Sequence, residues 1–162
     1  MVPKIMRRKL IIPLVFLSVL TPVICFADNE VSLGAGVGSL YSGLGVNAAL
    51  KGDNYIGYVA AGCVATGYSS GSGWILPCGI GVGWIWTDLL TKTNNRHGIG
   101  FYAGPVGYKD NKSVARYGLG FTYEYFLQGI SNKGWNFGIT PAAGQLNGKT
   151  KGSLFINAGY QF

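Results

Sequence analysis

Val31, Leu33, Ala35 and Val37 alternate with Ser32, Gly34, Gly36 and Gly38, and this two-residue period returns along the whole chain. After a short Ser39-Leu-Tyr-Ser turn, Leu44, Val46, Ala48 and Leu50 alternate with Gly45, Asn47 and Ala49. A period of two is that of a strand with one apolar face. Tyr55 to Tyr68 is apolar and rich in β-branched and aromatic residues, with weaker alternation. Between Trp74 and Trp86 the parity is strict: Trp74, Leu76, Cys78, Ile80, Val82, Trp84 and Trp86 share one face. That stretch, as one strand at ~3.3 Å per residue, measures about 43 Å and spans a thin apolar band with a Trp at each rim. Gly98 to Tyr108, Tyr117 to Leu127, Trp135 to Gly144 and Ser153 to Phe162 complete the set. The turns fall at 39–43, 51–54, 69–73, 87–97, 109–113, 128–134 and 145–152, where polar residues and glycine gather.

These are eight strands, and in the six with clean alternation glycines fall opposite the large apolar residues. An even number of strands of about ten residues with short turns predicts an all-β fold, an eight-stranded antiparallel up-and-down transmembrane β-barrel. Closure satisfies every backbone group in lipid, which an open sheet cannot do. Two other folds compete. Residues 54–87 carry no charge and could form two glycine-rich transmembrane helices, but a helix would spread the Trp74–Trp86 residues around its circumference. A soluble β-sandwich also alternates, but rarely carries tryptophans at both ends of one strand. Pro77, Pro105 and Pro141 fall inside predicted strands, where a closed barrel has no free edge for them, so bulges or local openings are expected there.

The N-terminus carries Lys4, Arg7, Arg8 and Lys9, an apolar run, and Cys25-Phe26-Ala27 before a polar stretch. This is the pattern of a secretory signal peptide, residues 1–27, cleaved after Ala27. A lipoprotein signal acylated at Cys25 is the competing expectation, with Ile24 a poor fit before it. Residues 28–162 then form the barrel domain. Four of the thirteen basic residues lie in the signal, which leaves nine against six acidic ones. That balance is too mild to suggest nucleic acid.

The last strand alternates Leu154, Ile156, Ala158, Tyr160 and Phe162 with polar and small residues. An aromatic-rich strand ending on Phe resembles the closing strand of bacterial outer-membrane β-barrels. The resemblance implies that Tyr160 and Phe162 are read by the barrel-assembly machinery. It implies residence in the outer membrane of a Gram-negative bacterium, among outer-membrane lipids and lipopolysaccharide, as a monomer. It extends to the small OmpX/OmpA-like proteins and implies a non-enzymatic structural, envelope-integrity or surface-interaction role. Some members of the wider family modify lipid A, hold an acyl chain in the lumen and admit lipid where prolines interrupt strand pairing. That is the alternative function. An eight-stranded barrel is barely wide enough for its own side chains, so a general porin is not expected.

Candidate chemistry is sparse. His97 is the one histidine and sits in a polar connection, where an ordinary solvated role is expected. No catalytic, cofactor or metal-binding pattern is present. Arg116 and Glu124 are the charged residues of the predicted inner face. Eight residues apart, about 26 Å along a strand, they cannot pair. Arg116 is expected near the outer rim and Glu124 near the periplasmic one. Trp74, Trp84, Trp86 and Trp135 are expected as an aromatic rim. Cys63 and Cys78 face each other across a hairpin turning at 69–72, which makes a disulfide possible in an exported chain. With a periplasmic N-terminus, Lys109, Lys112, Lys149 and Lys151 fall in outer loops. There they are ordinary solvated lysines or touch lipopolysaccharide phosphates.

Overall fold

Alternation becomes geometry in the barrel wall. A computed structural model of the chain describes residues 30–162 apart from 66, 70–72, 88, 91–94, 110–111 and 147–148; residues 1–27, expected as a signal, lie outside this set. The strands are β1 (Glu30–Val37), β2 (Leu44–Lys51), β3 (Tyr55–Cys63), β4 (Gly67–Ser69), β5 (Gly73–Ile75), β6 (Cys78–Trp86), β7 (His97–Lys109), β8 (Lys112–Phe126), β9 (Gly134–Leu146) and β10 (Lys149–Gln161). Eight of them close in the order β1-β10-β9-β8-β7-β6-β3-β2, every neighbour antiparallel, while β4 and β5 form a separate two-stranded ribbon. The expected eight-stranded up-and-down barrel is therefore the fold. Strands at 55–63 and 78–86 replace the two helices considered for residues 54–87.

β10 closes the barrel on β1 through four register pairs, from Gly34 with Gln161 to Val37 with Ala158. The Phe162 N–H adds one more bond, to the Leu33 carbonyl at 2.7 Å. The end that carries Glu30 and Phe162 is called the floor below, and the opposite end the mouth. β7 to β10 run 13 to 15 residues, whereas β1 and β2 run eight, so the wall is tall on one side of the mouth and low on the other.

Two sequence expectations need correction. Trp74 to Trp86 is not one strand: Leu76 and Pro77 separate β5 from β6. Proline has no N–H for the ladder, and the break falls beside it. The connection at 39–43 is not a surface turn. Ser39–Tyr41 is a 3-10 turn that folds back into the barrel, with Ser39, Leu40 and Tyr41 fully buried. Gly38 and Gly43, both at φ 105°, exchange backbone hydrogen bonds of 2.9 and 2.8 Å at its neck. Glycine adopts that left-handed backbone without the strain a side chain would add.

The other prolines behave as the sequence suggested. At Pro105 the β7–β8 register shifts, so that Val106 becomes an extra residue between the pairs Pro105–Tyr117 and Gly107–Arg116. Pro141 pairs with Leu154 on β10, and on its other side the β8–β9 ladder skips from Ala142 to Ile139. Between β6 and β7 pairing runs only from Trp86–Ile99 to Val82–Ala103, which leaves Cys78 to Gly81 without ladder partners on β7.

Candidate functional site

The two faces of the wall are opposite in character. Outward positions are mostly apolar: Leu33, Leu154 and Ile156 are 61, 68 and 73 % exposed, and Val46, Val59, Ile80, Val82, Phe101, Leu119, Phe121, Phe137 and Ile139 are exposed with them. Among the described outward side chains of the eight barrel strands there is no Asp, Glu, Lys or Arg. Inward positions hold Ser32, Asn47, Thr122, Glu124, Asn136, Thr140, Asn157 and Gln161, each at most 2 % exposed.

Those inward polar groups are joined through the 3-10 turn. The Asn157 Oδ1 accepts the Ser39 N–H at 2.8 Å, while its Nδ2 donates to Thr140 Oγ1 at 3.0 Å and to Glu124 Oε1. Ser39 Oγ bonds Thr140 Oγ1 at 2.7 Å, and Thr140 Oγ1 also bonds Thr122 Oγ1. Lower down, the Tyr41 hydroxyl accepts from Asn136 Nδ2 at 2.6 Å and Gln161 Nε2 at 3.5 Å. Gln161 Nε2 donates to Asn47 Oδ1 at 3.2 Å, and Asn47 Nδ2 donates to the Leu40 carbonyl at 3.0 Å. Such bonds contribute about 0.5–1.5 kcal/mol each, and a buried partner left alone costs about 1–3 kcal/mol. The turn is thus held in place by the wall it plugs.

The inward glycines make room for these side chains. A Cβ on Gly159 would lie 2.3 Å from the Tyr41 ring, so the ring rests where a larger residue would stand. Above the plug, Tyr102 packs edge-on against Phe155 at 5.9 Å and donates to the Pro105 carbonyl at 3.1 Å. Toward the floor, Ile56, Ile85, Phe126 and Ile130 are buried, and the Ile130 N–H bonds the Asn95 carbonyl at 2.9 Å. The lumen is filled at three levels.

The sequence-expected residues fall as follows. Glu124 is wholly buried beneath the plug, its Oε2 without a partner, and Arg116 is 8 % exposed near the mouth. They do not meet. Cys63 and Cys78 are register partners joined by a disulfide. Trp84, Trp86 and Trp135 all point outward at the floor end, within an aromatic belt. Tyr55 stacks on Trp84 at 5.0 Å, Trp86 meets Phe101 at 6.2 Å, and Trp135 meets Tyr160 at 5.5 Å. Tyr160 in turn meets Phe162 at 5.1 Å. The Trp74 side chain, like those of Lys109 and Lys112, lies outside the described residues. Lys149 and Lys151 are exposed at the start of β10. His97 opens β7 rather than sitting in a loop, and its Nδ1 lies 2.8 Å from the Tyr123 hydroxyl. Among the described residues no group of three His, Cys, Asp or Glu could hold a metal.

Sequence reasoning missed the plug. The available signal was two large apolar residues, Leu40 and Tyr41, in a tight turn bracketed by Gly38 and Gly43.

These features define a class: a small closed β-barrel with an apolar exterior and a packed, polar interior. No family model, curated protein or solved structure matches the chain.

Proposed function

We propose that the chain is an integral outer-membrane β-barrel with a non-enzymatic structural, envelope-integrity or surface-interaction role. The observation that carries this is the apolar exterior, free of charge among the described outward side chains of the barrel strands, around an interior of hydrogen-bonded polar side chains. In water such an exterior would be an exposed apolar patch far beyond what monomeric proteins present. In lipid it is the solvated face, and the closed ladder leaves few unpaired backbone groups. The aromatic belt at the floor end matches the girdle at a membrane interface. A lumen filled by Leu40, Tyr41, Tyr58, Tyr102 and Phe155 supports a role other than a general pore. The partners of this role are outer-membrane lipids and lipopolysaccharide, with the assembly machinery acting during biogenesis.

The test is gel migration of the outer-membrane fraction with and without boiling. The folded barrel is expected in that fraction and to migrate differently before boiling; a mobility unaffected by boiling, or recovery in the soluble fraction, would refute the proposal.

One observation favours the second function, lipid A modification. Cys78 to Gly81 lack ladder partners on β7, between Pro77 and Pro105, which leaves a seam in the wall near the mouth. The packed lumen provides no comparable support for an acyl chain inside. A lipid A profile by mass spectrometry with and without the gene discriminates: an unchanged acylation pattern eliminates the enzyme.

A further inference from the structure

Beyond the envelope role, we propose that the mouth holds a binding site for a phosphate group, built on Arg116 with Lys149 and Lys151. Arg116 points inward from β8, opposite Gly107 on β7, and is 8 % exposed. Its Nη2 donates to the Val106 carbonyl and to Ser153 Oγ, both at 3.4 Å, and its buried Nε has no partner. Both bonds are at the long end of the range and both acceptors are neutral. A guanidinium carries five donors and keeps its charge, so burying it without an anion is costly.

The position of Arg116 is set by the fold. Pro105 lacks an N–H, the ladder shifts, and Val106 becomes the extra residue of a bulge. Its carbonyl then receives both Arg116 and Ser153, whose Oγ donates to it at 2.6 Å. Ser153 and the two exposed lysines, Lys151 and Lys149, follow one another at alternate positions of β10 and so share its inward parity. The described acids, Glu30, Asp53 and Glu124, belong to the floor and the lumen beneath the plug. Asp110, in the β7–β8 turn between Lys109 and Lys112, lies outside the described residues. A planar fork flanked by ammonium groups suits the several oxygens and double charge of a phosphate monoester.

Access is from the side as well as from above. β10 loses its β1 partner beyond Ala158, because β1 ends at Val37 and the chain turns down into the plug. The upper half of β10 therefore looks over the low β1–β2 hairpin. A lipid headgroup and a free phosphate could each reach Arg116.

Calorimetric titration of the folded protein in maltoside micelles tests this, with inorganic phosphate as one probe and micelles doped with dioleoyl phosphatidic acid as the other. Neither the site nor the phosphate arm depends on the chain being membrane-embedded. Saturable binding of at least one probe is expected. Arg116→Gln should weaken it about tenfold, the order expected for loss of one charge-assisted contact. Binding of phosphatidic acid alone marks a lipid headgroup as the source; binding of both marks the phosphate group itself. Should Arg116→Gln fail to fold, the Lys149→Gln, Lys151→Gln double variant replaces it, since both side chains are exposed, and must still weaken binding severalfold. The proposal is overturned by absence of saturable binding for both probes, or by wild-type affinity in these variants.

Discussion

Glu124 reaches Asn157 across a strand that lies between them: its carboxylate passes over Gly138 and accepts the Asn157 Nδ2. The three residues form one row, since Gly138 is the register partner of both Glu124 and Asn157. A Cβ on Gly138 would lie 2.5 Å from Glu124 Oε2 and 2.1 Å from the Tyr123 carbonyl oxygen. Gly138→Ala should therefore destabilise the barrel by about 1–3 kcal/mol, the range of overpacking. Combined with Glu124→Ala, the loss should be less than the sum of the two single losses, because the carboxylate clash is gone and only the backbone crowding remains. Urea unfolding in detergent, followed by tryptophan fluorescence, measures both; strict additivity would contradict the geometry.

Tyr41 gives a second pair of outcomes. Tyr41→Phe keeps the ring over Gly159 but removes the hydroxyl that accepts from Asn136 Nδ2, at a cost of about 1–3 kcal/mol. Tyr41→Ala also empties the space beneath the plug and should cost about 3–5 kcal/mol. The order of unfolding midpoints should be wild type, then Phe, then Ala. Planar-bilayer recordings should find the Ala variant leakier to small ions than the Phe variant.

The Cys63–Cys78 bond closes a loop of sequence separation 15 that carries the β4–β5 ribbon. A loop of that size corresponds to about 3 kcal/mol in the chain-entropy account. The Cys63→Ser, Cys78→Ser double variant should unfold at correspondingly lower urea and be nicked more readily by protease between residues 64 and 77. Neither cysteine should react with a thiol reagent in unreduced protein, and labelling of both would contradict the bond.

Phe162 stands where the barrel closes. With only four register pairs between β1 and β10, its N–H bond to Leu33 and its ring contact with Tyr160 are a sizeable part of that seam. If the terminal aromatic is an assembly signal, deletion of Phe162 should lower the yield of folded protein in the outer-membrane fraction; wild-type yield would contradict that assignment.

The barrel was legible because one signal repeats. Large apolar residues on one parity and glycine on the other locate the strands, and the hairpin between β3 and β6 fixes Cys63 opposite Cys78 by counting alone. The interior was legible in kind but not in detail. Glycines on the inward parity announce close packing, yet which side chain lies over which glycine depends on register across strands distant in sequence, as with Tyr41 on β10 and Glu124 over β9. Leu40 and Tyr41 were hidden because four residues between glycines have the composition of any surface turn. Pro77 and Pro105 were visible as irregularities; that the second frees the Val106 carbonyl for Arg116 and Ser153 needs the bulge itself.

The unequal strands carry one more consequence. At ~3.3 Å per residue and ~45° of tilt, eight residues rise about 19 Å and thirteen about 30 Å, against an apolar band of ~25 Å in outer-membrane barrels. One flank is too short for such a band and the other is long enough to overtop it. A bilayer surrounding this molecule would have to thin beside β1 and β2, or the barrel would have to lean toward them, each at a modest cost per ångström of mismatch. The molecule is in this sense a wedge, and the slope it would impose on such a bilayer would point headgroups at the low side of the mouth.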